Sequence, residues 1–82
     1  MKFKEYELVK ILKNTQEDIK IGDIGVIIMV FDNPNEAYEV EIVNDEGNVY
    51  AQGTFLPDEL ELLESVQWRA GNRWKVYIRK FI

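Results

Sequence analysis

The apolar residues of the chain fall mostly at every second position, and turn-forming residues interrupt them about every ten residues. This pattern is typical of short β-strands joined by turns, because no helical period of 3.6 residues is sustained. We therefore predict an all-β fold. The predicted strands are residues 6–12, 24–31, 37–43, 49–55 and 60–63, with a mobile loop over 13–20 and a Pro-led turn before the last strand.

The third predicted strand, AYEVEIV, alternates apolar and acidic residues. Side chains of a strand point to opposite faces in turn, so one face of this strand is predicted to be buried and the other wet. The inward set is Tyr38, Val40 and Ile42, and the outward set is Glu39 and Glu41.

The second predicted strand lies in GDIGVIIMVF, where six apolar residues follow Gly25, so the strand is apolar on both faces. Strict alternation predicts an inward set of Ile24, Val26, Ile28 and Val30 and an outward apolar stripe of Ile27, Met29 and Phe31. An outward stripe of this size must be covered by protein.

Three glycines are predicted to have structural roles. Gly22 and Gly25 flank Asp23 and indicate a bend and a close approach of the backbone to a neighbouring strand, with Asp23 accepting hydrogen bonds from nearby amides. Gly47, in the turn NDEGN, can adopt the positive φ that a tight hairpin needs.

The last eighteen residues, SVQWRAGNRWKVYIRKFI, predict a β-hairpin extension that turns at Gly71-Asn72-Arg73. Its apolar face, with Trp68 and Trp74, could cover the outward stripe of the second strand. Covering within one molecule would give a monomer, and covering between molecules would give a homodimer through the tail. The predicted organisation is thus a barrel over 1–64 and a basic aromatic extension over 65–82.

Five short strands, a long first loop and a helical turn before the last strand resemble a small five-stranded SH3-like barrel. The run from YELVKIL through IKIGDIGVIIMVF, AYEVEIVNDEGN and LPDELELL resembles the bacterial domain-of-unknown-function family 4926, over about residues 5–63. The GDIGV element alone also looks like KOW-type barrels, which bind RNA. The family resemblance implies a fold and no particular activity.

The composition excludes several classes of function. The chain has no cysteine and no histidine, so it lacks the usual zinc ligands and both common nucleophile pairs of hydrolases. We predict a protein that is not an enzyme, with no cofactor and no metal. It has no apolar run of the roughly 20 residues that a membrane span needs, which together with the absence of cysteine predicts a cytoplasmic protein without membrane association.

Charge divides the chain into two parts. The net charge is −5, but residues 65–82 hold five basic and no acidic residues, while residues 1–64 hold all 15 acidic residues and the other five lysines. The parts therefore carry +5 and −10. The basic tail residues are Arg69, Arg73, Lys75, Arg79 and Lys80. A negative face is predicted from Asp32, Glu36, Glu39, Glu41, Asp45 and Glu46.

These features favour a non-catalytic protein-binding module, such as an antitoxin-like or immunity-like inhibitor whose acidic face occupies the basic active site of a toxin or nuclease. The interleaved basic and aromatic residues of the tail raise an alternative, a KOW-like module that binds nucleic acid. The −10 charge of the body weighs against nucleic acid as the partner. A third hypothesis is a self-assembling structural subunit.

Overall fold

The computed structural model describes residues 1–64; the predicted hairpin over 65–82 lies outside the described residues. Five strands form, and a 3₁₀ turn (Pro57–Glu59) precedes the last of them. The strands are β1 (Leu8–Ile11), β2 (Ile24–Phe31), β3 (Ala37–Val43), β4 (Val49–Phe55) and β5 (Leu60–Glu64). The all-β prediction is confirmed, and the bounds of β2, β3 and β4 are those predicted. The first strand is shorter than predicted.

All five strands belong to one antiparallel sheet with the order β4-β3-β2-β1-β5. In the part of the chain that the structure describes, β4 and β5 are the two edges and the sheet is not closed. The predicted barrel is therefore not confirmed beyond its all-β sheet. The central strands β2 and β3 make the longest pairing, over Ile24–Phe31 and Ala37–Val43.

One face of the sheet, here called the inner face, carries the main core. The alternation predicted for β3 is confirmed, because Tyr38, Val40 and Ile42 are all fully buried in this core. Tyr38 packs edge-on against Phe3 with 5.2 Å between the ring centroids. The buried members of the core are Phe3, Val9, Ile11, Ile19, Ile27, Tyr38, Val40, Ile42, Phe55 and Leu60.

The predicted faces of β2 are partly wrong, because the strand contains a bulge. Ile27 pairs with Val40, yet Met29 pairs with Glu39, so Ile28 is an extra residue between them. An extra residue reverses the side to which the preceding side chains point. Ile27 is consequently fully buried in the inner core rather than on an outward stripe.

The same bulge moves Ile24 and Val26 to the opposite face from the predicted one. They pair with Val43 and Glu41, and they belong to a second apolar cluster. Beyond the bulge the prediction is correct, since Val30 packs against the inner core while Met29 and Phe31 alternate with it on the other side.

The loop before β2 is anchored by Ile19, which is fully buried in the core. Asp23 accepts a hydrogen bond from the backbone amide of Lys20 at 2.8 Å, and Gly22 has a φ of 97°, which confirms the predicted bend. Gly25 is the predicted close approach. A Cβ atom there would overlap the Val40 side chain and lie 2.9 Å from the Glu41 carbonyl oxygen.

Candidate functional site

The second face of the sheet, here called the outer face, has a buried half next to β5. Leu8 is fully buried, and Ile24, Val26 and Val43 are at most 6% exposed. Leu8 pairs with Val26, and Ile24 pairs with Val43, so these side chains lie side by side across β1, β2 and β3. Leu63 of β5 packs against them. These five residues form the buried half of the outer face.

The exposed half of the outer face begins beyond the bulge. Met29 is 48% exposed and Phe31 is 38% exposed. They pair with Glu39 and Ala37, which alternate with the inward residues of β3 and therefore share the outer face. Met29, Phe31, Ala37 and Glu39 thus form the exposed half, where apolar side chains adjoin a carboxylate.

The Glu39 carboxylate is held in place by two side chains of β4. Thr54 donates a hydrogen bond to Oε1 at 2.6 Å, and the Gln52 amide donates one to Oε2 at 2.8 Å. Both donors lie on the outer face, since Thr54 pairs with Glu39 and Gln52 pairs with Glu41. A fixed carboxylate has less conformational freedom to lose when it binds a cation. The predicted outward direction of Glu39 and Glu41 is confirmed.

Glu36 does not belong to this negative face, although the sequence placed it there. Its carboxylate accepts hydrogen bonds from the Lys2 backbone amide at 2.8 Å and from the Tyr38 hydroxyl. The Tyr38 hydroxyl in turn accepts a bond from the Phe3 amide at 3.0 Å. The hydrogen bond from Tyr38 lowers the pKa of Glu36, while burial and this bond raise the pKa of Tyr38. Glu36 therefore fastens the N-terminal segment to β3.

The remaining predicted acidic residues are exposed but lie at two ends of the sheet. Asp32 is in the turn before β3, and Asp45 and Glu46 are in the turn after it. Seven residues of extended chain separate these turns by about 20 Å. The acidic residues therefore follow β3 as a line and do not form one compact cluster.

The turn after β3 is well defined. The Asn44 side chain accepts hydrogen bonds from the amides of Glu46 and Asn48 at 3.0 and 2.9 Å. Gly47 has a φ of 84°, as predicted for a tight hairpin. Asp45 and Glu46 are thereby exposed to solvent on a hydrogen-bonded turn.

A shallow hollow of about 540 Å³ between the loop before β2 and the β3–β4 turn was not predicted from the sequence. Tyr50 lines it and shares a hydrogen bond with Asp23; burial, this bond and the charges of Asp23 and Asp18 raise the pKa of Tyr50 to about 12. The lining residues come from three separate segments, and both the β2–β3 and the β3–β4 pairings are needed to bring them together. Among residues 1–64, no group of three or more His, Cys, Asp and Glu side chains could hold a metal ion.

The other predicted interface residues, Trp68 and Trp74, lie outside the described residues. The same holds for the basic set of Arg69, Arg73, Lys75, Arg79 and Lys80. Of the predicted apolar interface, the structure thus describes Ile27, Met29 and Phe31. It keeps Met29 and Phe31 together and buries Ile27 on the other face.

Comparison with known proteins gives a family and no activity. Among residues 1–64, no helical segment has the length and apolar character that a membrane span requires. No curated protein and no solved structure matches the chain. Residues 5–62 match the family described as "Domain of unknown function (DUF4926)". This match covers most of the 82 residues, so the chain belongs to the DUF4926 family, as the resemblance indicated.

Proposed function

We propose that the protein is a non-catalytic protein-binding module that uses the exposed half of the outer face together with Glu41. The supporting observation is the pairing of Met29, 48% exposed, with Glu39, whose carboxylate is already fixed by two hydrogen bonds. Large exposed apolar side chains beside an ordered charge are the ingredients of a protein interface, in which an apolar centre is surrounded by polar groups.

The partner proposed for this surface is a basic protein. Residues 1–64 carry a net charge of −10, which would speed the approach of a positive surface. At close range, Glu39 and Glu41 would bind Arg or Lys side chains of the partner, and Met29 and Phe31 would exclude water around those contacts.

A basic active site of an enzyme that cuts nucleic acid has this chemistry, since it must attract phosphate groups. An acidic sheet face that fills such a site would block it, which is how an antitoxin-like or immunity-like inhibitor would act. The protein would then act by occupying a surface, with no reaction of its own.

The test is binding of the purified full chain to the purified product of the neighbouring gene, measured by titration calorimetry. The informative variant is Glu39→Gln with Glu41→Gln. The control is Glu5→Gln with Glu17→Gln, which removes the same charge from two exposed positions outside the outer face. We expect the first variant to weaken binding by about 2–4 kcal/mol if both charges are buried in the complex, and the control by less than about 1 kcal/mol.

Equal weakening by both pairs would mean that only net charge matters, and would contradict a specific site on the outer face. Binding that survives the Glu39 and Glu41 changes, or no binding of that protein at all, would also reject this form of the proposal. A second pair of variants, Met29→Ser and Phe31→Ser, tests the apolar part and should weaken binding without altering its salt dependence.

The other two hypotheses, nucleic-acid binding through the basic tail and self-assembly through the tail, depend on residues 65–82. They remain predictions. RNA binding that falls steeply with salt, or a dimer in light scattering, would favour them.

A further inference from the structure

The buried half of the outer face has the burial of a protein core, although it lies on the opposite side of the sheet from the core. Leu8 is fully buried and Val43 is 4% exposed, as dry as the members of the inner core. The two clusters cannot share one side, because their members alternate along β1 and β3: Leu8 precedes Val9, and Val43 follows Ile42.

A sheet is one layer thick, and each apolar face needs its own covering layer to be kept from water. Within residues 1–64, all five strands lie in the same sheet, and Leu63 at its edge is the partly buried apolar residue that packs against the second cluster. An edge residue cannot cover side chains on three strands. A further layer of protein must lie over Leu8, Ile24, Val26 and Val43.

We propose that residues 65–82 of the same molecule form this layer. The described residues end at Glu64, which pairs with Leu8, so residues 65–82 follow directly from the border of the buried half. From β5 to β3 the distance is three strand spacings, about 14 Å. Eighteen residues can extend to about 60 Å, so the segment can cross the cluster and return.

The chemistry of this segment fits the face that it would cover. It holds both tryptophans of the chain, Trp68 and Trp74, along with five basic residues and no acidic one. Beside the buried half lies Glu41, the partner of Val26 in the β2–β3 pairing. Trp side chains would fill the apolar centre, and an Arg or Lys would meet Glu41 at its border.

Covering by the same molecule is favoured over covering by a second copy. The segment is joined directly to the strand that borders the site, so its effective concentration there is in the millimolar range. A second copy would have to reach this concentration in solution to compete.

This inference does not rest on the proposed function. It concerns the buried half, which would be closed by the segment, while Met29, Phe31 and Glu39 remain exposed for a partner. The two proposals share Glu41 at the border and otherwise assign different halves of the outer face, so either can fail without the other.

Tryptophan fluorescence of the full chain tests the proposal directly, because residues 1–64 contain no tryptophan. We expect emission at shorter wavelength than in the urea-unfolded chain and quenching by acrylamide that is several-fold weaker. The variant Val26→Thr, in the buried half, should increase quenching, whereas Met29→Thr, in the exposed half, should leave it unchanged. Emission and quenching equal to those of the unfolded chain would overturn the proposal.

Nuclear Overhauser measurements on the folded full chain then identify the contact. We expect cross-peaks from the indole protons of Trp68 or Trp74 to methyl groups of Leu8, Ile24, Val26 or Val43. A mixture of isotope-labelled and unlabelled protein should show none of these cross-peaks between molecules. Cross-peaks seen between molecules would assign the layer to a second copy, and their absence in every sample would remove the segment from this face; either result rejects covering by the same molecule.

Discussion

The two halves of the outer face both include apolar side chains of β2, yet they differ in burial. Ile24 and Val26 are 6% exposed, whereas Met29 and Phe31, a few residues further along β2, are 48% and 38% exposed. Both pairs face outward because Ile28 is an extra residue in the pairing. Without this bulge, Val26 and Met29, three positions apart, would point to opposite faces. Hydrophobicity alone therefore does not decide burial on this face.

The difference reflects what lies beside each half. The buried half is flanked by apolar side chains from β1, β3 and β5. The exposed half is flanked by Glu39 and by the hydrogen-bonding side chains Gln52 and Thr54. An apolar neighbourhood favours a covering layer, while a polar one keeps water close and leaves the apolar residues available to a partner.

The largest effect should come from placing a charge in each half. Val26→Asp should lower the free energy of unfolding by more than about 3 kcal/mol, because a carboxylate would lose its water there without a partner. Met29→Asp should cost less than about 1 kcal/mol, because this position is half exposed. Urea unfolding followed by circular dichroism would measure both.

If Val26→Asp prevents folding, Val26→Thr keeps the shape and replaces one methyl group with a hydroxyl, and should cost about 1–2 kcal/mol. Similar losses in the free energy of unfolding for Val26→Thr and Met29→Thr would contradict the difference in burial between the two halves.

Added methyl groups should separate the tightly packed inner side of β2 from the exposed half of the outer face. Gly25→Ala, on β2 between Ile24 and Val26, should cost about 2–3 kcal/mol, because the new Cβ would collide with Val40 and the Glu41 carbonyl and push β2 away from β3. Ala37→Val, paired with Phe31 in the exposed half, should change stability by less than about 1 kcal/mol. Thermal unfolding of both variants checks this, and a Gly25→Ala protein as stable as the parent would contradict the tight β2–β3 spacing.

A smaller effect is expected at Tyr38, the inward neighbour of Glu39 on β3. Tyr38→Phe should cost about 1–3 kcal/mol, because the buried Phe3 amide would lose its acceptor. It should also flatten the acid dependence of stability. The pKa of Glu36 in the folded protein lies below its ordinary value of 4.5, so its contribution is present above that pH and is lost as pH falls through the folded-state pKa.

Without the Tyr38 hydroxyl, the main cause of the lowered Glu36 pKa is gone. Urea unfolding between pH 3 and pH 7 should therefore show a smaller loss of stability on acidification in the variant than in the parent. An unchanged acid dependence would mean that Glu36 does not fasten the N-terminal segment through Tyr38.

The smallest change in stability is expected for Thr54→Val, below about 0.5 kcal/mol, because the lost hydrogen bond to Glu39 lies in solvent. Binding of the proposed basic partner should nevertheless weaken by about 2- to 10-fold, since Glu39 would no longer be held in the orientation proposed for binding. Titration calorimetry with the basic partner would measure this. Unaltered affinity would show that fixing the orientation of the Glu39 carboxylate does not contribute to binding at the exposed half.

The strands of this fold could be predicted from the sequence because turn residues and alternation mark them clearly. The faces of β3 were predictable for the same reason, since Glu39 and Glu41 cannot be mistaken for core residues. The faces of β2 were not, because an apolar run carries no alternation from which to read direction, and one bulged residue then reverses Ile27. A bulge within such an apolar run cannot be recognised from its amino-acid composition.

The candidate site was predictable in part. Met29 and Phe31 were placed correctly because they lie between the bulge and the turn, where simple alternation still holds. Glu36 was misplaced because its role depends on Lys2 and Tyr38, and the sequence gives no sign that the N-terminus crosses to β3. Long-range contacts of this kind follow from topology, which the strand pattern alone does not specify.

The bulge in β2 has a consequence for how this sheet finds its alignment during folding. A strand that is apolar on both faces buries a similar apolar area when its register shifts by one residue. Its apolar pattern therefore does not determine its register. One contact favours the observed alignment, because it places Gly25 against Val40, where a residue with a Cβ atom would collide. In this family member, the apolar residues of β2 provide the buried surface, and the fit of Gly25 against β3 favours one register.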